Sequence, residues 1–336
     1  MNARGLIAAV LGLLACSVPV PFAEDLFFTT DRPQLPEAAD CRRCHGAVYE
    51  EWAGSLHATA WTSETFAAVT GDHAAGDCLG CHAPAPLGSD GEVRLRDDHR
   101  DEGVTCISCH LSEVPSGDRL TMRGPHEPTS PVEVHAITRD TLFLRAELCG
   151  GCHEGVLEQW RDSPEPDDGS PRATCQECHM PAVRRTMETY DPEKPYSALL
   201  VALGDPVDGR RHRFEVPPDP WEDIDVETRA VAGSLRVRVA NRLPHAIPTG
   251  RFGVRVARIR VTWPGGERER LLRADLDEAV PAGQSRVYEF DGVPATAAAV
   301  LERRVPKTGR FERLAPAPTP TPTPGNETGR DGEDAR

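Results

Sequence analysis

The feature that most constrains this chain is a Cys-x-x-Cys-His motif that occurs five times between residues 41 and 179. In each motif the two cysteines are three positions apart, so on a helical turn both thiols face one side, and the histidine that follows projects to the same side. The motif cysteines are Cys41, Cys44, Cys78, Cys81, Cys106, Cys109, Cys149, Cys152, Cys175 and Cys178, and the motif histidines are His45, His82, His110, His153 and His179. The fold must therefore accommodate five clusters of two thiols and one imidazole.

Paired thiols followed by an imidazole are typical of covalent haem attachment. The thiols form thioethers to the two vinyl groups along one haem edge, and the histidine reaches the iron as proximal ligand. Such pairs also occur in disulfides and zinc sites, but neither explains a histidine after every pair. About 0.01 such motifs are expected by chance in a chain of this composition. We therefore predict five haem c groups, attached through the motif cysteines and ligated by the motif histidines.

The composition indicates that these cofactors form much of the interior. Hydrophobic residues make up 39% of the 336-residue chain and aromatic residues only 5%. Apolar residues recur at helical spacing in 47–68, and the segments 141–148 and 154–160 are also predicted to be helical. The segments between them are long and rich in Pro and Gly, which suits a chain wrapped around porphyrins. We predict a haem-cored, mostly helical and loop-rich multihaem domain over residues 35–190.

A different pattern begins after a connecting segment at 191–232. Residues 234–240 alternate between apolar and charged side chains, as in a half-buried strand. Residues 253–263 repeat this with a slip near Ala257 that predicts a bulge, and residues 287–290 read as another strand. We predict a small antiparallel β-sandwich-like domain at 233–313, which makes the fold class α+β. The Pro- and Thr-rich residues 314–336 are predicted to be a disordered tail.

The N-terminus indicates export. Arg4 precedes a charge-free apolar run that is too short to span a bilayer, so residues 1–23 read as a signal peptide. Cys16 stands outside every motif and directly after Leu14 and Ala15, as in a lipoprotein whose first mature residue is a lipidated cysteine. Cleavage after Ala23, which would leave no lipid, is the alternative. The predicted location is the periplasm or cell envelope, with a lipid anchor in the membrane through Cys16 where lipoprotein processing occurs.

The formal net charge of −15 bears on the kind of partner. It favours basic redox proteins and disfavours nucleic acid, although simple solubility explains the charge equally well.

Each predicted iron has a second face, and seven histidines lie outside the motifs: His57, His73, His99, His126, His135, His212 and His245. His57 lies twelve residues after His45 on a predicted helix, a rise of about 18 Å. That separation is too long for two ligands of one iron, so His57 is expected to cap a neighbouring haem. Alternative axial ligands are Met122, Met180 and Met187.

The stretch CRRCHGAVYEEWAGSLHATAW at 41–61 resembles the cytochrome c-554 (c-552/4) and hydroxylamine-oxidoreductase-like multihaem cytochromes, as do EGVTCISCH, LCGGCHE and CQECHMP. The resemblance implies that His57 and His135 are distal ligands. It also implies that His245, in NRLPHAIPTG, reaches a haem from the β-domain and that His212, in RRHRF, is a ligand. The fifth distal position stays open among His73, His99, His126, a methionine or an iron with a free face.

Two functions follow from these sites. The first is an electron carrier between a quinol-side donor and a periplasmic reductase or dehydrogenase. The alternative is an oxidoreductase that acts on a small nitrogen or sulfur oxyanion at one open iron. All five motifs end in His, and no catalytic residue is predicted. The carrier, which is not an enzyme, is the preferred interpretation.

Overall fold

The structure is a computed structural model that describes residues 35–88, 92–112, 120–127, 135–166, 168–187, 201–202, 204–214, 222–250 and 254–314. The predicted signal peptide with Cys16, the predicted tail beyond residue 314 and parts of the predicted connecting segment lie outside these residues. The chain divides into two compact units. Residues 1–145 and 179–214 form the first unit, and residues 146–178 and 215–336 form the second.

The first unit is built from short helices joined by loops. Its α-helices are α1 (Ala38–Ala53), α2 (Glu64–Thr70), α3 (Gly76–His82) and α4 (Cys106–His110), and 3-10 turns lie at Arg100–Glu102 and Thr141–Leu144. Strands β1 (Thr121–Gly124) and β2 (Ala136–Arg139) pair in parallel, and β3 (Ala182–Arg185) and β4 (Val207–Arg210) pair antiparallel. The small size of these elements matches the predicted loop-rich character of the region.

The predicted helix over 47–68 is only partly present. Helix α1 ends at Ala53, where Gly54 and Ser55, both weak helix formers, turn the chain back so that the Ser55 N–H bonds to the Trp52 carbonyl. A new helix, α2, begins after Ser63, whose hydroxyl accepts the N–H of Phe66 as an N-cap. His57 therefore lies in the turns between two helices, and its predicted helical position was wrong.

The second unit combines a helical segment with a β-sandwich. The helices are α5 (Glu147–Gly150), α6 (Glu154–Asp162) and α7 (Cys175–His179), whose last residue belongs to the first unit. The strands are β5 (Ile224–Val231), β6 (Ser234–Asn241), β7 (Val256–Trp263), β8 (Gly266–Arg273), β9 (Ser285–Asp291), β10 (Ala298–Arg304) and β11 (Phe311–Arg313). One sheet has the order β5-β6-β9 and the other β11-β10-β7-β8. Among the described residues, no helix is long and apolar enough to cross a membrane.

The alternating pattern predicted for residues 234–240 is confirmed. Leu235, Val237 and Val239 are fully buried, whereas Arg236 and Arg238 are exposed. Their apolar face joins side chains from both sheets in one core, as a sandwich requires. The presence of both α-helices and mainly antiparallel β-strands confirms the predicted α+β fold class.

The bulge predicted near Ala257 was wrong. Pairing runs without interruption along β7 on both sides, with Ala257 opposite Leu272 and Ile259 opposite Arg270 in one ladder. The apparent slip arises because the strand begins at Val256, so the preceding residues do not belong to the alternation.

The two units divide the chain differently from the predicted domains. The sequence predicted a single haem-binding domain over residues 35–190, whereas residues 146–178 group with the sandwich. Contacts within the second unit explain this. The Ala246 N–H bonds to the Gln159 side chain at 2.9 Å. Gly283 packs so closely on Pro164 that a Cβ atom added to the glycine would lie 2.7 Å from the proline ring. The fourth motif and the cysteines of the fifth thus share a unit with the β-strands.

Candidate functional site

Four of the five motifs lie within helices, and the fourth starts in one. Cys41–His45 lies in the first half of α1, Cys78–His82 ends α3, and Cys106–His110 and Cys175–His179 form α4 and α7. The fourth motif has Cys149 and Gly150 at the end of α5 and continues beyond that helix. The ten motif cysteines form no disulfide. Within the described ranges, no three His, Cys, Asp or Glu side chains converge to hold a metal ion by themselves. The thiols are thus available for attachment in all five motifs.

The first and third motifs meet through their leading cysteines. The thiols of Cys41 and Cys106 share a hydrogen bond, which together with burial raises the pKa of Cys41 and which lowers the pKa of Cys106. Each of these two thiols would form a thioether at the vinyl-bearing edge of its own haem. The contact therefore brings the attachment edges of two haem sites next to each other.

Two pairs of imidazoles in the first unit have the spacing that an iron between them requires. The ring centres of His45 and His135 are 6.3 Å apart, and those of His110 and His212 are 6.1 Å apart. A metal–imidazole bond is about 2.0–2.1 Å long, and a ring atom lies roughly 1.1 Å from the ring centre for bonds near 1.33 Å. Two rings on opposite sides of one iron therefore have centres about 6.3 Å apart. Motif residues and chain-distant histidines fit a haem in both places.

Hydrogen bonds orient these rings. The Nδ1–H groups of His45, His110 and His212 each donate to a backbone carbonyl at 2.9 Å, those of Met187, Arg123 and Arg210 respectively. Nδ1 of His135 faces the carbonyl of Ala136 at 3.4 Å. An occupied Nδ1 leaves Nε2 as the nitrogen that can bind metal, and such outer partners fix the ring and its tautomer.

Burial also prepares these side chains for ligation. It lowers the pKa values of His110 and His135, and it lowers the pKa of His212 to about 4. An imidazole with a pKa below its ordinary value is neutral at neutral pH, and only the neutral form binds metal.

A buried ion pair holds the backbone next to the His212 ring. Glu51 on α1 accepts the His212 N–H at 2.9 Å and forms two hydrogen bonds with Arg185, at 2.9 and 3.0 Å. Arg185 also donates to the Arg210 carbonyl at 3.4 Å, the carbonyl that receives Nδ1–H of His212. Burial would raise the pKa of Glu51, but Arg185 and the His212 N–H outweigh it and lower that pKa. Nothing in the sequence pattern pointed to Glu51 or Arg185, because their role depends on contacts across 134 residues.

The second motif is packed by aromatic side chains. The His82 ring stacks on Phe66 with centres 3.7 Å apart and donates Nδ1–H to the Ala60 carbonyl at 2.8 Å. His73 stacks on Trp61, with Nε2 3.1 Å from the Trp61 carbonyl oxygen. Phe66 thus separates the His73 and His82 rings, and burial lowers the pKa of His82.

The remaining ligand candidates of the first unit lie in varied surroundings. His57 packs edge-on against Phe214 with ring centres 4.2 Å apart. His99 has a left-handed backbone and lies 3.4 Å from the Glu37 carboxylate. His126 lies in a bend after β1. The assignment of these three histidines as ligands stays a prediction.

The fourth and fifth motifs repeat the thiol contact. Cys149 hydrogen-bonds the Cys175 thiol and thereby lowers its pKa. His245 lies in the loop after β6, in the same unit, and its position follows from two hydrogen bonds: Asn241 donates to the His245 carbonyl at 2.9 Å, and Ala246 donates to Gln159 at 2.9 Å. The loop that presents His245 is therefore docked on α6, the helix that follows the fourth motif.

Comparison with known proteins agrees with this geometry. Residues 40–111 match the model of the family described as cytochrome c554 and c-prime. In these residues, which hold the first three motifs, this chain resembles the c554 family of multihaem c-type cytochromes. Its fold is similar to that of a penta-heme cytochrome c552 from Thermochromatium tepidum, with a TM-score of 0.50 and 18% sequence identity over 83% of this chain and 97% of that one. Among curated proteins, none matches this chain significantly.

Proposed function

We propose that this cytochrome carries five covalently attached haems and transfers electrons between redox proteins of the cell envelope. The observation that carries the proposal is the pair of histidine couples at 6.3 and 6.1 Å, each of which joins a motif histidine to a chain-distant one. Haem irons held in this way would supply one-electron chemistry, with potentials that the axial ligands and burial adjust. The residues would fix the position of each redox centre.

The contacts between motifs support conduction within the chain. Cys41 touches Cys106 in the first unit and Cys149 touches Cys175 in the second. Because each cysteine marks one edge of a bound porphyrin, these contacts bring attachment edges together in two pairs, formed by the first and third and by the fourth and fifth motifs. Close, fixed redox centres are what an electron carrier needs.

The site of action and the partners are part of the proposal. We propose an exported protein of the periplasm or cell envelope, either secreted or held by lipid on Cys16, since the N-terminal residues have the features of a signal peptide. The net charge of −15 would steer basic redox proteins towards it and repel nucleic acid. A quinol-side donor and a periplasmic reductase or dehydrogenase are the partner classes that this placement favours.

The number of haems is tested by intact-mass measurement. We expect the mature protein to exceed its polypeptide mass by five haem masses, because each of the five motifs has two cysteines that take part in no disulfide. A variant with Cys175→Ala and Cys178→Ala should carry four and serves as the matched control. An increment of four or fewer in fully matured wild type contradicts the five-haem proposal.

The spin state of the oxidised iron, measured in the same samples, distinguishes the two functions. An entirely low-spin spectrum supports a carrier, whereas a high-spin component means an open iron of the kind that oxyanion reduction requires.

His245 is proposed as an axial ligand presented by the β-domain. It lies between Pro244 and Pro248, which restrict the backbone of its loop, and the loop is held on α6 through Gln159. We expect His245→Ala to convert one haem from low to high spin in the oxidised protein. Magnetic spectra that stay fully low-spin, with no exchange of ligand at any haem, would remove His245 from the ligand set and leave the carrier function standing.

A further inference from the structure

The sequence after the first motif recurs after the fourth. Residues 41–52 and 149–160 share the pattern Cys-x-x-Cys-His-x-x-Val-x-Glu-x-Trp. The alignment pairs Trp52 with Trp160 and places Gln159 opposite Glu51. The other three motifs lack this continuation.

The two segments also share their local structure. The motif histidines have the same non-helical backbone, with φ −106° and ψ 41° at His45 and φ −106° and ψ 40° at His153, and a helix continues after each. Trp52 donates its indole N–H to the Val104 carbonyl at 2.8 Å, and Trp160 donates to the Ala173 carbonyl at 2.9 Å.

Each of those carbonyls lies two residues before the next motif of its pair. Val104 precedes Cys106, and Ala173 precedes Cys175. The thiol contact of each pair, Cys41 with Cys106 and Cys149 with Cys175, completes the correspondence. The fourth and fifth motifs thus repeat the arrangement of the first and third.

The correspondence extends to the side chain six residues after the motif histidine. Glu51 accepts the backbone N–H of His212 at 2.9 Å, and His212 faces His110 of the third motif at 6.1 Å. Gln159 Oε1 accepts the N–H of Ala246, the residue next to His245, at the same distance of 2.9 Å. In both units an oxygen acceptor on the helix after a motif holds a chain-distant loop that presents a histidine.

We infer that Gln159 is a positioning residue for His245, as Glu51 is for His212, and that His245 serves the haem held by Cys175 and Cys178. This inference rests on the proposed attachment of haem and on His245 as a ligand, and it adds which haem is served and what holds the ligand. The negative charge of Glu51 is neutralised by its ion pair with Arg185, and the Gln159 amide carries no charge. Each side chain can therefore accept the loop N–H without placing an unpaired charge next to the loop.

Three substitutions in the full-length, haem-loaded protein test the positioning role. Gln159→Leu removes the acceptor, and we expect the low-spin signal of one haem to shift or to become high-spin. Gln159→Glu keeps an acceptor oxygen, so the low-spin signal should persist, while the added negative charge favours the oxidised iron and shifts one midpoint potential downwards. Glu158→Gln, at the exposed neighbouring position, removes a charge without touching the loop and should leave the spin state unchanged.

The outcomes separate this inference from the proposed function. If Gln159→Leu leaves the magnetic spectrum and every midpoint potential unchanged while His245→Ala produces a high-spin haem, Gln159 has no positioning role although His245 is a ligand. If His245→Ala has no effect, the ligand proposal itself fails. An experimental structure of the mature protein decides the assignment, because Nε2 of His245 on the haem of Cys175 and Cys178 supports it and Nε2 on the haem of Cys149 and Cys152 overturns it.

Discussion

The chain made without the cytochrome c maturation machinery is expected to lose its folded first unit and to retain its β-sandwich. In the described part of the first unit only six hydrophobic side chains are buried, those of Ala38, Trp52, Phe66, Ala83, Ile107 and Leu111. The sandwich core contains nineteen. Burial of apolar surface is the main favourable contribution to folding, so the first unit depends on its cofactors, as other domains with small cores depend on bound metal.

Limited proteolysis with mass spectrometry measures this difference. Haem-free chain should be cut throughout residues 35–145, while a fragment that spans about 222–314 survives under the same conditions. The fully matured protein, digested in parallel, is the control and should be protected in both regions. A compact, protease-resistant segment at 35–145 in haem-free material would show that this unit folds on protein contacts alone.

Replacing Arg96 by Leu is expected to destabilise the first unit by roughly 3–5 kcal/mol. Arg96 is 1% exposed, and its guanidinium donates five hydrogen bonds to groups from three segments. The acceptors are the carbonyls of Pro84, Asp98, His99 and Gly103 and the hydroxyl of Ser108, at 3.1, 2.8, 2.5, 3.1 and 3.4 Å. Leucine would leave these acceptors buried without their donor, which costs more than the apolar side chain gains.

Arg94→Leu is the matched control, two residues away. The Arg94 side chain is 56% exposed and pairs with Glu92 at the surface, so its replacement should change stability by about 0.5 kcal/mol or less. Guanidinium titrations followed by far-ultraviolet circular dichroism would give both values in the mature protein. Equal midpoints for the two variants would mean that the Arg96 hydrogen bonds do not hold the second and third motifs together.

Features that depend on local pattern were predictable from the sequence. The thiol spacing correctly indicated a helical turn at four of the five motifs, and the alternation in 234–240 predicted both the strand and its buried face. Strand β5 was missed because the hairpin that joins it to β6 turns at Ala232 and Gly233, which both have positive φ, 38° and 87°. Alanine rarely adopts this conformation, so the sequence lacks the usual signal of a two-residue turn.

Features that depend on long-range contact were not predictable. Motif spacing along the chain does not indicate that Cys41 meets Cys106 or that Cys149 meets Cys175. His135 and His212 were expected as ligands through family resemblance, but their partners His45 and His110 emerged only from the folded arrangement. The role of Glu51 is of the same kind, since its partners lie more than 130 residues away in the chain.

The chain order of the paired histidines has a consequence for the proposed export and haem ligation. His135 follows His45 by 90 residues, and His212 follows His110 by 102. A nascent chain emerges with its N-terminus first, so the thiols and motif histidine of each of these sites arrive long before the opposing imidazole does. An export intermediate that ends shortly after the third motif would hold two half-built centres whose remaining ligands are still on the other side of the membrane. Under the proposed export and ligation, completion of the earliest sites would wait on the late part of the polypeptide. Truncation before residue 212 would leave the third site without its proposed second histidine, however well the preceding chain had folded.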